Sequence, residues 1–203
     1  MKKVLSIVFC LLLAGGALLA ETKSAHDRLE KARKELGARM PNAARAEKLM
    51  QEALKDSPDY LDAEEALADL YFAEHRYELA ATEYKKAKAL DDAQKKLSRD
   101  DRNNLLDQLG VSQGEGRHFD EAIATYKAAL AEDAGYGLFE YNLSCSYAAK
   151  GDLDSALPHL KKAWELRDSL PRGVSFPDPR KDDSFKKYWN DPRFLEAVTD
   201  IVV

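Results

Sequence analysis

Small and apolar residues recur at fixed positions along this chain, with the spacing of paired helices. The pattern alanine, large residue, alanine occurs four times at i, i+4 and i+7: Ala46/Met50/Ala53, Ala80/Tyr84/Ala87, Ala122/Tyr126/Ala129 and Ala156/Leu160/Ala163. Residues so spaced share one helix face. Small residues let two helix axes approach closely, and a large residue one turn later fills the space between neighbouring pairs. The leading alanines are 34, 42 and 34 residues apart, and a period of this length predicts stacked helix pairs.

A second apolar pattern precedes each of these helices. Its copies are Leu67-Ala68-Tyr71, Leu109-Gly110-Gln113 and Leu143-Ser144-Tyr147, and each leucine lies 13 residues before a leading alanine. The first pair departs from this spacing, because Leu36-Gly37-Met40 fits the pattern but Leu36 lies only 10 residues before Ala46. We therefore expect a distorted first pair whose turn is shortened by three residues.

The two patterns together resemble the tetratricopeptide repeat (TPR) family, whose motif runs W-x2-L-G-x2-Y, then A-x3-F, then P. The proline slot holds Pro58 in the first repeat and Asp92, Ala134 and Asp168 in the later ones. The resemblance covers about residues 24–168. It implies an all-α fold, an α-solenoid of four TPR-like helix pairs. It implies little about function, because proteins with this fold serve many purposes.

The helix boundaries follow from the periodicity and from turn residues. Predicted helices are Asn42–Lys55, Leu61–Ala73, Tyr77–Leu90, Asn103–Gln113, Phe119–Ala131, Leu138–Lys150 and Leu153–Arg167, after a first helix that carries Ala25, Leu29, Ala32 and Leu36. The long middle interval matches a polar insert at 95–102. This insert either lengthens the second helix of its pair or forms a loop. Pro158 predicts a mild kink or a late start of the last helix.

The composition changes after the repeats. Residues 170–179 are rich in Pro, Arg, Gly and Ser and end the array. Phe185 and Trp189 then lie one turn apart, and Asp191-Pro192 has the order of a helix start. We predict two short helices that cap the apolar end of the fourth pair. The predicted domains are a signal peptide (1–20), the repeat array (21–168, with the insert at 95–102), and a linker and C-terminal cap (169–203).

The amino terminus has the pattern of a secretory signal peptide. Lys2-Lys3 precede an uncharged run that ends at Ala20, which gives a positive region, an apolar region and small residues at the end. Cleavage is expected after Ala20, with Ala17 as a competing position. The alternatives are an uncleaved anchor, for which about 17 apolar residues are at the short limit, and lipidation at Cys10. The predicted location is periplasmic or secreted.

Charge and cysteine content narrow the partners. The net charge of −5 becomes −7 when residues 1–20 and their two lysines are removed, and an acidic chain does not favour nucleic acid. A membrane is a partner only if the amino-terminal segment stays uncleaved. Cys145 is then the single cysteine, which excludes an internal disulfide. We interpret Cys145 as a half-buried structural thiol, since no cationic residue beside it would lower its pKa.

No motif for catalysis, metal binding or a cofactor is present. The four histidines, His26, His75, His118 and His159, have no His or Cys at helical ligand spacing, so they do not predict a metal site. Gly114-Glu115-Gly116 lacks the strand and the Lys-Ser or Lys-Thr of a phosphate loop and is interpreted as a helix turn. The sequence therefore predicts no catalytic residue, no metal and no cofactor.

The outward faces of the first helices are the remaining candidate site. Three lines result from helical spacing: Asp62, Glu65 and Asp69; Asn104, Asp107 and Val111; and Leu138, Tyr141 and Cys145. Resemblance to the family implies that these faces line a groove that binds peptides. The groove would be acidic at one end and apolar at the other. The simpler interpretation of the acidic line is a solvated helix face.

These observations predict a non-enzymatic protein-protein interaction module of the cell envelope or secreted space. Its partner segment would carry basic residues beside an aromatic or aliphatic anchor, with affinity from the anchor and orientation from the charges. A carboxylate clamp is not expected, because the slots that hold Lys, Arg and Asn in such clamps hold mostly acids here. The alternatives are an envelope enzyme or cofactor-binding protein with an unrecognised site, and a membrane-anchored assembly factor.

Overall fold

The computed structural model describes residues 23–170 and 173–201, and every regular element in those two ranges is helical. The helices are α1 (23–36), α2 (Ala43–Asp56), α3 (Leu61–Ala73), α4 (Tyr77–Gln94), α5 (Arg99–Glu115), α6 (Phe119–Glu132), α7 (Gly137–Lys150), α8 (Leu153–Glu165) and α9 (Pro192–Val198). Two short 3-10 helices cover Arg167–Ser169 and Asp183–Tyr188. The predicted signal peptide, 1–20, lies outside the described residues. The expected all-helical fold of TPR-like pairs is confirmed.

The chain forms two compact units. An N-terminal unit ends at Lys95 and contains α1 to α4, and a C-terminal unit begins at Lys96 and contains α5 to α9. Within them, α3 packs against α4, α5 against α6, and α7 against α8. Helix α7 also packs against α5 and α6.

The repeated alanine pattern forms the core of each pair. All twelve residues of the four copies, on α2, α4, α6 and α8, are at most 2% exposed. Tyr126 and Leu160, predicted to be core residues, are 1% and 0% exposed. Side chains this well covered contribute most of the favourable free energy of folding in a small helical unit.

The first pair differs from the sequence prediction. Helix α1 buries Ala25, Leu29 and Ala32, whereas Met40 is 86% exposed. Its apolar stripe ends one turn before Leu36, and residues 37–42 form a six-residue connection to α2. The match of Leu36-Gly37-Met40 to the repeat was wrong, and the connection is long rather than shortened.

The polar insert joins the two units without forming a helix of its own. Helix α4 continues to Gln94, Lys95 ends it in the left-handed region at φ 53°, and α5 begins at Arg99. The Ser98 hydroxyl accepts a hydrogen bond from the Asp101 N–H at 3.2 Å, which explains this early start. The insert is therefore partly the predicted loop and partly the first turn of α5.

The last pair and its cap follow the prediction closely. Helix α8 begins at Leu153 with Pro158 inside it, so the late start does not occur. Phe185 and Phe194 are both fully buried, and their stacked rings lie 5.3 Å apart. They pack into one cluster with residues of α7 and α8. The two short helices at 183–188 and 192–198 therefore cover the apolar end of this pair, as predicted.

Candidate partner-binding site

The first candidate line lies on α3 in the N-terminal unit. Asp62 and Glu65 are half-buried and Asp69 is exposed. The buried Tyr84 hydroxyl donates a hydrogen bond to Asp69 Oδ1 at 2.5 Å. Partial desolvation raises the pKa of Asp69, and the Tyr84 hydrogen bond opposes this shift. Asp69 therefore satisfies a core phenol as well as facing solvent.

The second line lies on α5 in the C-terminal unit. Asn104 is exposed, whereas Asp107 and Val111 are half-buried. Asp107 Oδ1 accepts a hydrogen bond from Asn142 Nδ2 of α7 at 2.7 Å. Burial raises the pKa of Asp107 to about 6, and the Asn142 hydrogen bond lowers it in part. Asp107 therefore links α5 and α7, the first helices of the third and fourth pairs. Val111, one turn later on α5, remains partly accessible to solvent.

The third line, on α7, is largely covered by the chain itself. Leu138 and Cys145 are half-buried, and Tyr141 is only 2% exposed. Tyr141 therefore has to be removed from the residues open to a partner. Helical spacing places Tyr141 on the face of α7 that was expected to line a groove. The sequence pattern of α7 does not show that another segment of the chain covers this face.

The covering part is residues 174–184, which we call the tail segment. The Phe176 ring lies edge-on to Tyr141 at 5.4 Å and to Trp164 at 5.1 Å. Asp182 Oδ2 accepts hydrogen bonds from the Tyr141 hydroxyl at 2.9 Å and from Cys145 Sγ at 3.6 Å. Burial, followed by the charge of Asp182, raises the pKa of the Cys145 thiol.

Beside the tail segment lies an open cleft of about 380 Å³, here called the α5–α7 cleft. Its lining residues come from α5, α7, the turn before α6 and the tail segment: Gly110, Val111, Gly114, Glu115, Arg117, Phe119, Tyr126, Asn142, Cys145, Ser146, Ala149, Asp182, Asp183 and Ser184. Of the nine candidate residues, Val111 and Cys145 line this cleft. Several of the other lining residues are glycine, alanine or serine. Their small side chains leave room in the cleft for a side chain of a ligand.

Two glycines in this lining differ in their surroundings. A Cβ on Gly110 would lie 2.3 Å from Cζ of Tyr126, so the helix pair requires glycine there. A Cβ on Gly114 would meet nothing within 4 Å. Gly114 lies inside α5, and the sequence interpretation of it as part of a turn was wrong. Its missing side chain leaves free space in the cleft.

Charges surround the small-residue floor of the cleft. Glu115 and Asp183 are exposed, and Arg117 lies over the Phe119 ring at 5.6 Å. An adjoining cleft of about 340 Å³ shares Arg117, Phe119 and Ala149 and adds lysines from the 183–188 helix. The cleft therefore offers both signs of charge around an apolar centre, a combination suited to orienting a peptide.

The described residues do not suggest other chemistry. Among residues 23–170 and 173–201, no three His, Cys, Asp or Glu side chains come together as a metal site would require. The raised pKa of Cys145 keeps its thiol protonated and poorly nucleophilic. Across the same ranges, no helix offers an apolar stretch of the length that a bilayer crossing requires.

Comparisons with known proteins agree with this architecture. No protein-family model matches the sequence, and no curated protein matches it either. Solved structures of MamA do match. MamA AMB-1 in its P212121 crystal form is 28% identical with a TM-score of 0.57, over 73% of this chain and 73% of that one. The chain has a TPR-like helical-repeat fold.

Two further MamA structures give similar values. MamA MSR-1 is 29% identical with a TM-score of 0.52, over 63% of this chain and 68% of that one. The C2221 crystal form of MamA AMB-1 is 31% identical with a TM-score of 0.51, over 61% and 68%. The TPR-like fold therefore accounts for the helix pairs, whereas the tail segment has to be understood from its own contacts.

Sequence reasoning missed two parts of this site. It assigned the segment before Phe185 to a linker, although Phe176 is buried there. The available signal was a single aromatic residue in a stretch of Pro, Gly and charged residues. It also missed Gly114, whose role depends on the empty space beside α5 rather than on any motif.

Proposed function

We propose that this chain is a non-enzymatic protein-binding module that holds a segment of a partner protein in the α5–α7 cleft. The observation that carries the proposal is the open, small-residue floor of the cleft at Gly114, on a helix face where TPR-like pairs present side chains to partners. The similarity to MamA in fold supports a protein partner rather than a small substrate. Charged side chains around an apolar floor also favour a peptide over a nucleic acid in a chain of net charge −5.

The chemistry of the lining indicates the kind of segment. Val111, Phe119 and Ala149 provide apolar contact for one aliphatic or aromatic side chain. The exposed carboxylates of Glu115 and Asp183 lie on the same rim and favour a basic residue next to that anchor. Most of the affinity would come from the buried anchor and the orientation from the charges.

We further propose that the module acts outside the cytoplasm. This part rests on the amino-terminal pattern of Lys2-Lys3, an uncharged run and small residues before Glu21. Fractionation of cells that express the full chain, with determination of the mature amino terminus, tests it. A mature chain that begins near residue 18 or 21 in the periplasm or medium is expected, and a cytoplasmic chain that retains Met1 would exclude export.

Gly114 offers a matched pair of variants for testing the cleft. Gly114→Phe places a ring in the free space, whereas Gly114→Ala adds only a Cβ that meets nothing within 4 Å. Peptides selected from a random library on the wild-type protein should carry an apolar residue beside Lys or Arg. Gly114→Phe should weaken their binding by about tenfold or more, and Gly114→Ala should leave it unchanged.

The outcome against the proposal is equally clear. Selected peptides that bind both variants with wild-type affinity do not use the cleft. A selection that enriches no apolar-basic pattern contradicts the assigned partner chemistry. Thermal unfolding of both variants, followed by circular dichroism, separates a blocked cleft from a misfolded chain.

A further inference from the structure

The tail segment is attached to the C-terminal unit in the way that a bound peptide is attached to its receptor. Residues 174–178 have no regular structure, and Val174 and Ser175 are exposed. Phe176 alone of these five residues is buried, at 8% exposed, between Tyr141 and Trp164. Pro179 is the other buried residue of the tail segment, and Phe176 and Asp182 make the aromatic contacts and hydrogen bonds described above.

The surface beneath the segment has the features of a recognition site. Tyr141 and Trp164 form an aromatic slot, and the Tyr141 hydroxyl and Cys145 thiol both donate to Asp182 Oδ2, at 2.9 and 3.6 Å. Asp182 Oδ1 accepts a third hydrogen bond, from the Ser184 N–H at 2.9 Å. Two donors beside an aromatic slot select a ligand with an aromatic side chain and a carboxylate.

The cap shares one core cluster with Phe176, but its two fully buried rings lie outside the tail segment. Phe185 and Phe194 are fully buried and stack on each other. They follow the tail segment in sequence and pack among residues of α7 and α8. Release of the segment therefore opens the first turn of the 183–188 helix, which contains Asp183 and Ser184, and leaves the contact between Phe185 and Phe194 in place.

We propose that the tail segment is a tethered ligand, and that the aromatic slot beneath it is a second protein-binding site. The slot takes a partner segment in which an aromatic residue is followed six positions later by Asp or Glu, the spacing of Phe176 and Asp182. Such a partner displaces the tail segment. This site goes beyond the α5–α7 cleft, since it uses Tyr141 and Trp164 rather than the glycine floor.

The two sites share one wall. Asp182, Asp183 and Ser184 of the tail segment line the α5–α7 cleft. A partner that displaces the tail segment removes these carboxylates from the cleft and replaces them with its own side chains. Occupation of the slot therefore changes the charge that the cleft presents to its ligand.

A peptide supplied in trans tests the tethered ligand directly. The probe is a fluorescent peptide of residues 174–184, VSFPDPRKDDS. A tethered copy has an effective concentration on the order of millimolar, so the wild-type chain should exclude the free peptide. The full chain with Phe176→Ala and Asp182→Ala has an empty slot and should bind the peptide about tenfold more tightly or better. A peptide with the same two substitutions should bind neither protein.

Labelling of Cys145 provides a second readout in a Cys10→Ser background, where Cys145 is the remaining cysteine. Asp182→Ala should increase the rate at which a thiol reagent labels Cys145, because the covering carboxylate is gone. In the Phe176→Ala/Asp182→Ala chain, whose slot is empty, saturating peptide should slow that labelling again. The single substitution leaves the Phe176 packing in place, so it tests the same surface if the double variant does not fold.

The proposal is overturned if the folded double variant binds the peptide no better than the wild type does. It is also overturned if peptide leaves the labelling rate of the folded double variant unchanged, or if Asp182→Ala alone does not speed the labelling of Cys145. Neither result affects the Gly114 pair, whose variants leave the aromatic slot intact. The second site and the proposed cleft can therefore fail separately.

Discussion

The α3–α4 pair and the α7–α8 pair have the same repeat spacing but complete their cores with different chemistry. In α3–α4, three carboxylates are buried: Glu64 is 6% exposed, Glu83 is 8% exposed and Asp91 is 1% exposed. Lys86 forms an ion pair with Glu83. In α7–α8, aromatic residues from the C-terminal segment cover the helices, among them Phe176 and Phe185. One pair uses buried charge, and the other uses a folded-back segment.

This difference shows that the repeat pattern specifies only a few of the contacts within each helix pair. The shared spacing fixes the alanine contacts, because helix axes must approach closely there. The faces outside that contact are constrained only by the need to satisfy polar groups and exclude water from apolar ones. Stability of the α3–α4 pair should therefore depend on pH, whereas that of the α7–α8 pair should depend on the C-terminal segment.

The largest expected effect concerns the large buried residue of the alanine pattern, which all four pairs have. Tyr126→Ala removes a ring that is 1% exposed and should lower the free energy of unfolding by about 3–5 kcal/mol. Tyr126→Phe is the control, because it removes only the hydroxyl hydrogen bond to the Asp107 carbonyl at 3.2 Å and should cost about 0.5–1.5 kcal/mol. Urea unfolding measures both. Equal costs for the two variants would show that the ring is not a core group.

The second effect should appear only in the pair with buried charge. Desolvation and a hydrogen bond with Glu83 raise the pKa of Glu64 from 4.5 to about 7. The folded chain therefore keeps a proton that the unfolded chain releases near pH 4.5. Stability should fall as the pH rises from 4.5 through 7, by on the order of 2–3 kcal/mol from this carboxyl.

Glu64→Gln separates this contribution from other titrating groups. The variant should match the wild type near pH 4.5 and exceed its stability at pH 8, because a neutral amide needs no proton. Glu78→Gln on the exposed face of α4 should shift neither value. Unfolding curves of the three chains at several pH values give the measurement. A parallel pH profile for Glu64→Gln and the wild type contradicts a buried acid at this position.

Much of the fold could be predicted from the sequence because its information is local. The alanine triplets report a helix face directly, and Asp191-Pro192 marks the start of α9, where Asp191 Oδ1 accepts from the Arg193 N–H at 2.9 Å. The first pair could not be predicted, since Leu36-Gly37-Met40 matches a motif without being buried. A match to a short motif does not show whether the matching residues are the ones that tertiary packing buries.

The site was predictable only in part. Helical spacing placed Val111 and Cys145 on one side of α5 and α7, and both line the cleft. It could not show that Tyr141 lies under Phe176, because that contact joins residues 35 positions apart through a segment with no periodicity. Contacts made by irregular segments depend on tertiary structure, which a helical pattern does not contain.

The smallest effects compare the three first helices at one position. The small residue of the pattern is Ala68 in α3, Gly110 in α5 and Ser144 in α7. Only in α5 does the Tyr126 ring occupy the space of a Cβ, at 2.3 Å. Gly110→Ala should therefore destabilise the chain by about 1–3 kcal/mol through overpacking, although alanine favours a helix.

Gly114→Ala, one turn later on the same helix, is the matched control. Its Cβ meets nothing within 4 Å, so only helix propensity acts and the chain should gain about 0.5–1 kcal/mol. Opposite signs for the two substitutions in urea unfolding locate the close approach of α5 and α6 at Gly110. If both substitutions stabilise the chain, the Tyr126 ring can move away from the new Cβ. The α5–α6 pair would then tolerate alanine at position 110, as the α3–α4 pair does with Ala68.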